Sequence, residues 1–66
     1  MTTPLTPREA DALRLAAEGR TDKGIARELR ISAHTVSHLI YSARHKLGAD
    51  SRAHAVAIAM RLGIVE

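Results

Sequence analysis

The sequence predicts an all-α domain, a four-helix, bundle-like arrangement with helices at about 7–18, 22–30, 33–47 and 51–62. Two observations carry this. Each apolar segment is preceded by a residue suited to cap a helix and three are closed by glycine, and inside the segments the apolar residues recur at helical spacing. Residues 1–66 read as one domain, with no repeat, linker or low-complexity stretch, and residues 1–4 are expected to be disordered.

The first helix opens on Thr6-Pro7-Arg8-Glu9, a capping box. Thr6 can accept from the amide of Glu9, Glu9 can reach back, and Pro7 occupies the first helical position, where a missing N–H costs nothing. Ala10, Leu13, Ala16 and Ala17 form its apolar face, and Gly19 stops it. Thr21 caps the second helix, whose inner face is Ile25, Ala26 and Leu29. The short turn Arg30-Ile31-Ser32 follows, and Ser32 caps the third helix. Two short helices joined by so tight a turn form a helix-turn-helix, in which the second element is free to enter a groove.

In the third helix Val36, Ile40, Ala43 and Leu47 fall at steps of four, three and four, one narrow stripe closed by Gly48. At ~100° per residue Leu39 borders that stripe. The opposite face holds His34, Ser37, His38, Tyr41, Ser42 and His45, with Arg44 and Lys46 at its margins. Hydrogen-bonding side chains at the centre suit base edges, and cations at the margins suit phosphates. Tyr41 is the only aromatic residue, and it falls on this polar face. Asp50 or Ser51 caps the fourth helix, which ends at Leu62-Gly63. It is apolar nearly all round. Val56, Ala59 and Met60 suffice to cover the domain, so Ala57 and Ile58 are expected to face outward, as a partner surface.

Composition excludes several classes. A chain of 66 residues buries only ~60% of its unfolded surface and leaves no room for an enclosed substrate cavity. It has no cysteine, hence no disulfide framework and no zinc finger. No apolar run approaches a membrane span, and the first residues lack the pattern of a signal peptide. No nucleophile elbow, phosphate loop or paired-carboxylate arrangement is present, so an enzyme is not expected and no catalytic residue is assigned. His34, His38 and His45 share a face but have no cysteine or carboxylate to complete a metal site, so neither a metal nor a cofactor is expected. The net charge is +3 and the isoelectric point near 10.2, which favours a polyanionic partner. Residues 34–54 hold Arg44, Lys46 and Arg52 against Asp50 alone, and all four histidines as well.

Leu5-Thr6-Pro7-Arg8-Glu9, Ala17-Glu18-Gly19, Ile25-Ala26-Arg27-Glu28-Leu29, Ile31-Ser32 with Thr35-Val36, Lys46-Leu47-Gly48, Ser51-Arg52 and Ala59 to Gly63 form an ordered series. It resembles the LuxR/GerE-type helix-turn-helix domain of bacterial transcription regulators from Leu5 to Val65. The resemblance implies a third helix that reads the major groove and a fourth that mediates dimerisation on DNA. It places base contacts at Ser37, His38 and Tyr41, and phosphate contacts at Lys23, Thr35 and Lys46. Arg44 joins the phosphate set from its position, and His34, Ser42 and His45 are further candidate DNA contacts. His54, Ala57, Ile58 and Arg61 are the candidate dimer surface.

Double-stranded DNA and a second copy of the chain are thus the expected partners. RNA polymerase is a further candidate; no membrane or small molecule is expected, and the location is the bacterial cytoplasm, at the nucleoid when bound. Family members often carry a receiver or ligand-sensing domain ahead of this one, as response regulators and quorum-sensing regulators do. The chain departs from the family at Ser37 (usually Lys or Arg), Leu39 (usually His) and Gly24 (usually Glu). The loss of a cation at 37 argues against arginine-to-guanine readout. Two alternatives stand beside this reading: a domain like region 4 of a sigma factor, and a protein-interaction module that pairs with a larger regulator and inhibits it.

Overall fold

In the computed structural model, which describes residues 5–65, helix α1 spans Pro7–Ala17, α2 Asp22–Leu29, α3 Ala33–Lys46 and α4 Arg52–Arg61. The expected disorder of residues 1–4 lies outside the described residues. Every helix starts at a side-chain cap. Thr6 Oγ1 accepts from Glu9 N–H at 3.2 Å while Thr6 N–H donates to Glu9 Oε1 at 2.8 Å, the reciprocal capping box. Thr21, Ser32 and Ser51 accept from the amides of Gly24, Thr35 and His54. Of the two candidate caps for α4, the role falls to Ser51.

The predicted ends run past the observed ones by one residue at Glu18, Arg30, Leu47 and Leu62, and Ser51 lies just outside α4. Those residues are the caps themselves, half in and half out of the helix. At the end of α2 the chain reverses through Arg30 in the left-handed conformation (φ 58°, ψ 46°). The amides of Arg30 and Ile31 both close on Ala26 C=O, which ends the helix without glycine. This reversal, followed directly by the Ser32 cap, makes the connection between α2 and α3 tight.

The core is Leu5, Ala12, Leu13, Leu15, Ile25, Ala26, Val36, Ile40, Ala43, Ala49, Ala55, Ala59 and Val65. Leu13, Ile25 and Val36 are its largest fully buried side chains. Helix α3 packs against the other three, and so does α1. The stripe predicted for α3 is observed, with Val36, Ile40 and Ala43 buried, and Leu39 and Leu47 half-buried against them.

Two faces differ from expectation. In α1 the buried residues are Glu9, Ala12, Leu13 and Leu15, while Ala10 and Ala16 are half-buried and Ala17 is exposed. A helix flanked on several sides buries a wider arc than one amphipathic stripe. In α4 the buried positions are Ala55 and Ala59, four apart, whose small side chains let the backbone approach the core. Met60 is 53% exposed instead of covering the domain, and Ile58, expected outside, is half-buried against the core.

Candidate nucleic-acid interface

The outward face of α3 is open. His34, Ser37, His38 and Tyr41 line a shallow recess on it, and Tyr41 is 58% exposed. Side chains one turn apart pair along the helix. His34 Nε2 and His38 Nε2 lie 3.1 Å apart, a contact that needs one ring to donate and the other to accept. Tyr41 and His45 have ring centroids 4.3 Å apart, and the Arg44 guanidinium lies 5.4 Å from the Tyr41 ring centroid. The face therefore presents ordered imidazole, hydroxyl and phenol groups to solvent. Among the described residues no group of three or more His, Asp or Glu side chains is placed to hold a metal ion.

Several polar residues of α3 face other work. Ser42 turns inward and donates to Glu9 Oε2, and Lys46 Nζ lies 2.9 Å from Glu9 Oε1. Glu9 is buried, only 4% exposed. Burial alone would raise its pKa, but the Ser42 hydroxyl, the Thr6 amide and the Lys46 ammonium stabilise the carboxylate and lower it to about 2. Glu9 thus joins α1 to α3 through a charge that α3 supplies. Capping explains only part of what Glu9 does, and sequence reasoning stopped at capping. The available signal was Ser42 and Lys46, four apart, on the flank of an amphipathic helix.

Arg44, expected at phosphate, donates from Nη1 to Ala49 C=O at 3.2 Å and so braces the turn between α3 and α4. Thr35 is exposed at the start of α3, its Oγ1 2.9 Å from Ser32 Oγ. Lys23 is exposed on α2, and among the described residues it has no carboxylate partner. The same holds for Arg8, Arg27, Arg30 and Arg61, whereas Arg14, Arg20, Lys46 and Arg52 are in ion pairs. Arg20 bridges Glu18 and Glu28.

Ser37 Oγ donates to Asp22 Oδ2 at 3.2 Å, so the first turn of α2, with Lys23 next in sequence, sits beside the middle of α3. Arg52, from the start of α4, binds the other oxygen of Asp22. From sequence Asp22 has no role and Arg52 only a place in the ordered series and the charge balance, since nothing in linear spacing joins residues 22, 37 and 52. On α4, Ala57, Ile58 and His54 are half-buried, Arg61 is exposed, and His54 Nδ1 accepts from Asp50 N–H.

The model of the family described as bacterial regulatory proteins, luxR family, matches residues 3–59. The chain belongs to the LuxR family. It is 48% identical over 62 residues to the HTH-type quorum sensing-dependent transcriptional regulator VjbR of Brucella abortus, a match covering 94% of this chain and 24% of VjbR. The chain therefore spans about a quarter of the length of that relative. The structure of the transcription factor GerE superposes with a TM-score of 0.93 at 32% identity, covering 98% of this chain and 97% of GerE. VqmA of Vibrio cholerae, described as a dimer and a LuxR-type receptor, matches with a TM-score of 0.87 at 35% identity, over 96% of this chain and 28% of its own. This is a LuxR-type helix-turn-helix domain of transcription regulation, and not an enzyme. Membership decides against the sigma-factor alternative. Among the described residues no helix is long and apolar enough to cross a membrane.

Proposed function

We propose that this domain binds double-stranded DNA sequence-specifically in the bacterial cytoplasm, with α3 in the major groove and a second copy paired through α4. The observation that carries the reading is the open face of α3, where His34, Ser37, His38 and Tyr41 remain solvent-facing while the opposite stripe is buried. Hydrogen-bonding groups of both polarities on an exposed helix suit base edges, which present donors and acceptors in a pattern that differs for each base pair. Ser37, His38 and Tyr41 read bases, with His34 and His45 beside them. Lys23, whose charge is not spent on a carboxylate, and Thr35, at the amino-terminal end of α3, approach the backbone.

Lys46 and Arg44 contribute by holding α3 in place, since the ammonium is committed to Glu9 and the guanidinium to Ala49 C=O. Ser42 belongs with them. On α4, residues 54, 57, 58 and 61 follow helical spacing, and His54, Ala57, Ile58 and Arg61 form the pairing surface, with Ile58 shared between that surface and the core.

Selection from a randomised duplex pool with the purified chain at moderate salt tests this. Enrichment of a two-fold symmetric site with half-sites about one helical turn, roughly 10 bp, apart is the expected result. Tyr41→Ala is expected to relax preference at one position of each half-site. A pool without enrichment, with only salt-sensitive background, would overturn groove reading and favour a module that pairs with a larger regulator.

A further inference from the structure

Ser37 stands where the family usually has a cation, and its side chain is not free. Its hydroxyl has one proton and two lone pairs. The proton is given to Asp22 Oδ2 at 3.2 Å, and the other carboxylate oxygen is held by Arg52 Nη1. These three residues come from α2, α3 and α4. The carboxylate has no donor to offer and the guanidinium has no acceptor, so the direction of each hydrogen bond in the chain is forced.

We propose that Asp22, oriented by Arg52, sets the polarity of Ser37, so that Ser37 meets DNA only as a hydrogen-bond acceptor and selects a base with an amino group in the major groove. The inference rests on the groove-reading function above and deepens it by naming what the serine recognises. Adenine N6 and cytosine N4 carry such groups; guanine offers N7 and O6, and thymine O4, all acceptors. For Ser37 to donate to guanine or thymine, its proton must leave a charged partner, and the lone pairs of Asp22 would then face another acceptor. Exposed and 3.2 Å long, this hydrogen bond biases the choice by about fivefold. Asp22 thus acts as a positioning residue, and Arg52 carries the arrangement to the helix proposed for pairing.

The isosteric change Asp22→Asn gives the sharpest test, because it should reverse the polarity without changing the shape. The amide oxygen faces Arg52, which can only donate, so the amide N–H₂ faces Ser37. Ser37 then accepts within the protein, and its own O–H turns outward as a donor.

Selections are run in parallel with the unaltered chain, Asp22→Asn and Ser37→Ala, with circular dichroism to confirm that each is helical and melts cooperatively. The unaltered chain should enrich one base pair at a Ser37-dependent position. Because every base pair carries one such amino group, the selected pair is also tested with that group deleted, purine replacing adenine or 2-pyrimidinone replacing cytosine. The deletion should cost about fivefold in affinity. Asp22→Asn should change the base pair preferred at that position, by about fivefold between duplexes differing only there, and should lose the sensitivity to deletion of the amino group. Ser37→Ala should erase preference at that position and leave the others unchanged. If Asp22→Asn melts early, comparison of Ser37→Ala with the unaltered chain on duplexes with and without the amino group still decides the matter. A Ser37-dependent position indifferent to loss of the amino group, or the same base pair preferred under Asp22→Asn, overturns the inference while leaving groove reading intact. Failure of the unaltered chain to select any site overturns both.

Discussion

Glu9 shows how much one side chain can carry in so small a domain. It closes the capping box of α1, receives the Ser42 hydroxyl and pairs with Lys46, all from a position only 4% exposed. Its pKa falls from 4.5 to about 2, so the folded state holds the carboxylate ionised more strongly than the unfolded chain does. The resulting stability is complete above about pH 4.5 and is lost as the pH falls through about 2. With Lys46 partly in solvent, a contribution of about 2 kcal/mol is expected at neutral pH, a large share of the stability of a small domain. Urea unfolding of the unaltered chain should show a steep loss of stability between pH 4.5 and 2. Glu9→Gln should be weaker at pH 7 and flatter across that acid range. An unchanged acid dependence in Glu9→Gln would assign the acid sensitivity to other carboxylates.

At the scale of the element, α2 is the shortest of the four described helices and the only one of them that contains a glycine. Gly24 lies in its first turn, three residues after the Thr21 cap, and costs helix propensity without any need for glycine's backbone freedom. A Cβ built there would meet Thr21 Oγ1 at 3.4 Å and Arg20 Cβ at 3.9 Å, ordinary contacts. Gly24→Ala is therefore expected to raise stability by about 1 kcal/mol, seen as a higher midpoint in thermal unfolding. A lower midpoint would show that the contact with Thr21 disturbs the cap. The end of α2 was harder to foresee. Arg30 in the left-handed region supplies the reversal that a glycine usually provides, and the sequence carries no mark of it beyond the Ser32 cap that follows.

For the whole molecule, the distribution of paired and unpaired cations matters more than the net charge. Arg14, Arg20, Lys46 and Arg52 are engaged by carboxylates, which leaves Lys23 among the cations available to phosphate. Lys23→Ala should weaken binding to selected and random duplexes alike and lower the salt slope by about one unit per protomer. Lys46→Ala should instead act chiefly on folding stability, through the loss of the partner of Glu9. Comparing salt slopes with urea midpoints for the two variants separates these roles. If Lys46→Ala lowered the slope without lowering the midpoint, Lys46 would be a phosphate contact after all.

Helix existence, order and starting points were legible in the sequence, because caps and helical spacing are local: Thr6, Thr21, Ser32 and Ser51 each satisfy amides within three residues of themselves. The buried stripe of α3 was legible too, and with it the polar face opposite. Tertiary structure decided which polar residues have partners within the protein. Glu9 and Lys46 are 37 residues apart, and Asp22, Ser37 and Arg52 lie on three helices. A side chain's charge can be read from its letter, but whether that charge is already spent depends on what packing brings within hydrogen-bond reach. Spacing along one helix carries no information about a partner on another. The same limit explains α4, where periodicity alone could not tell that Ala55 and Ala59 would approach the core and leave Met60 outside.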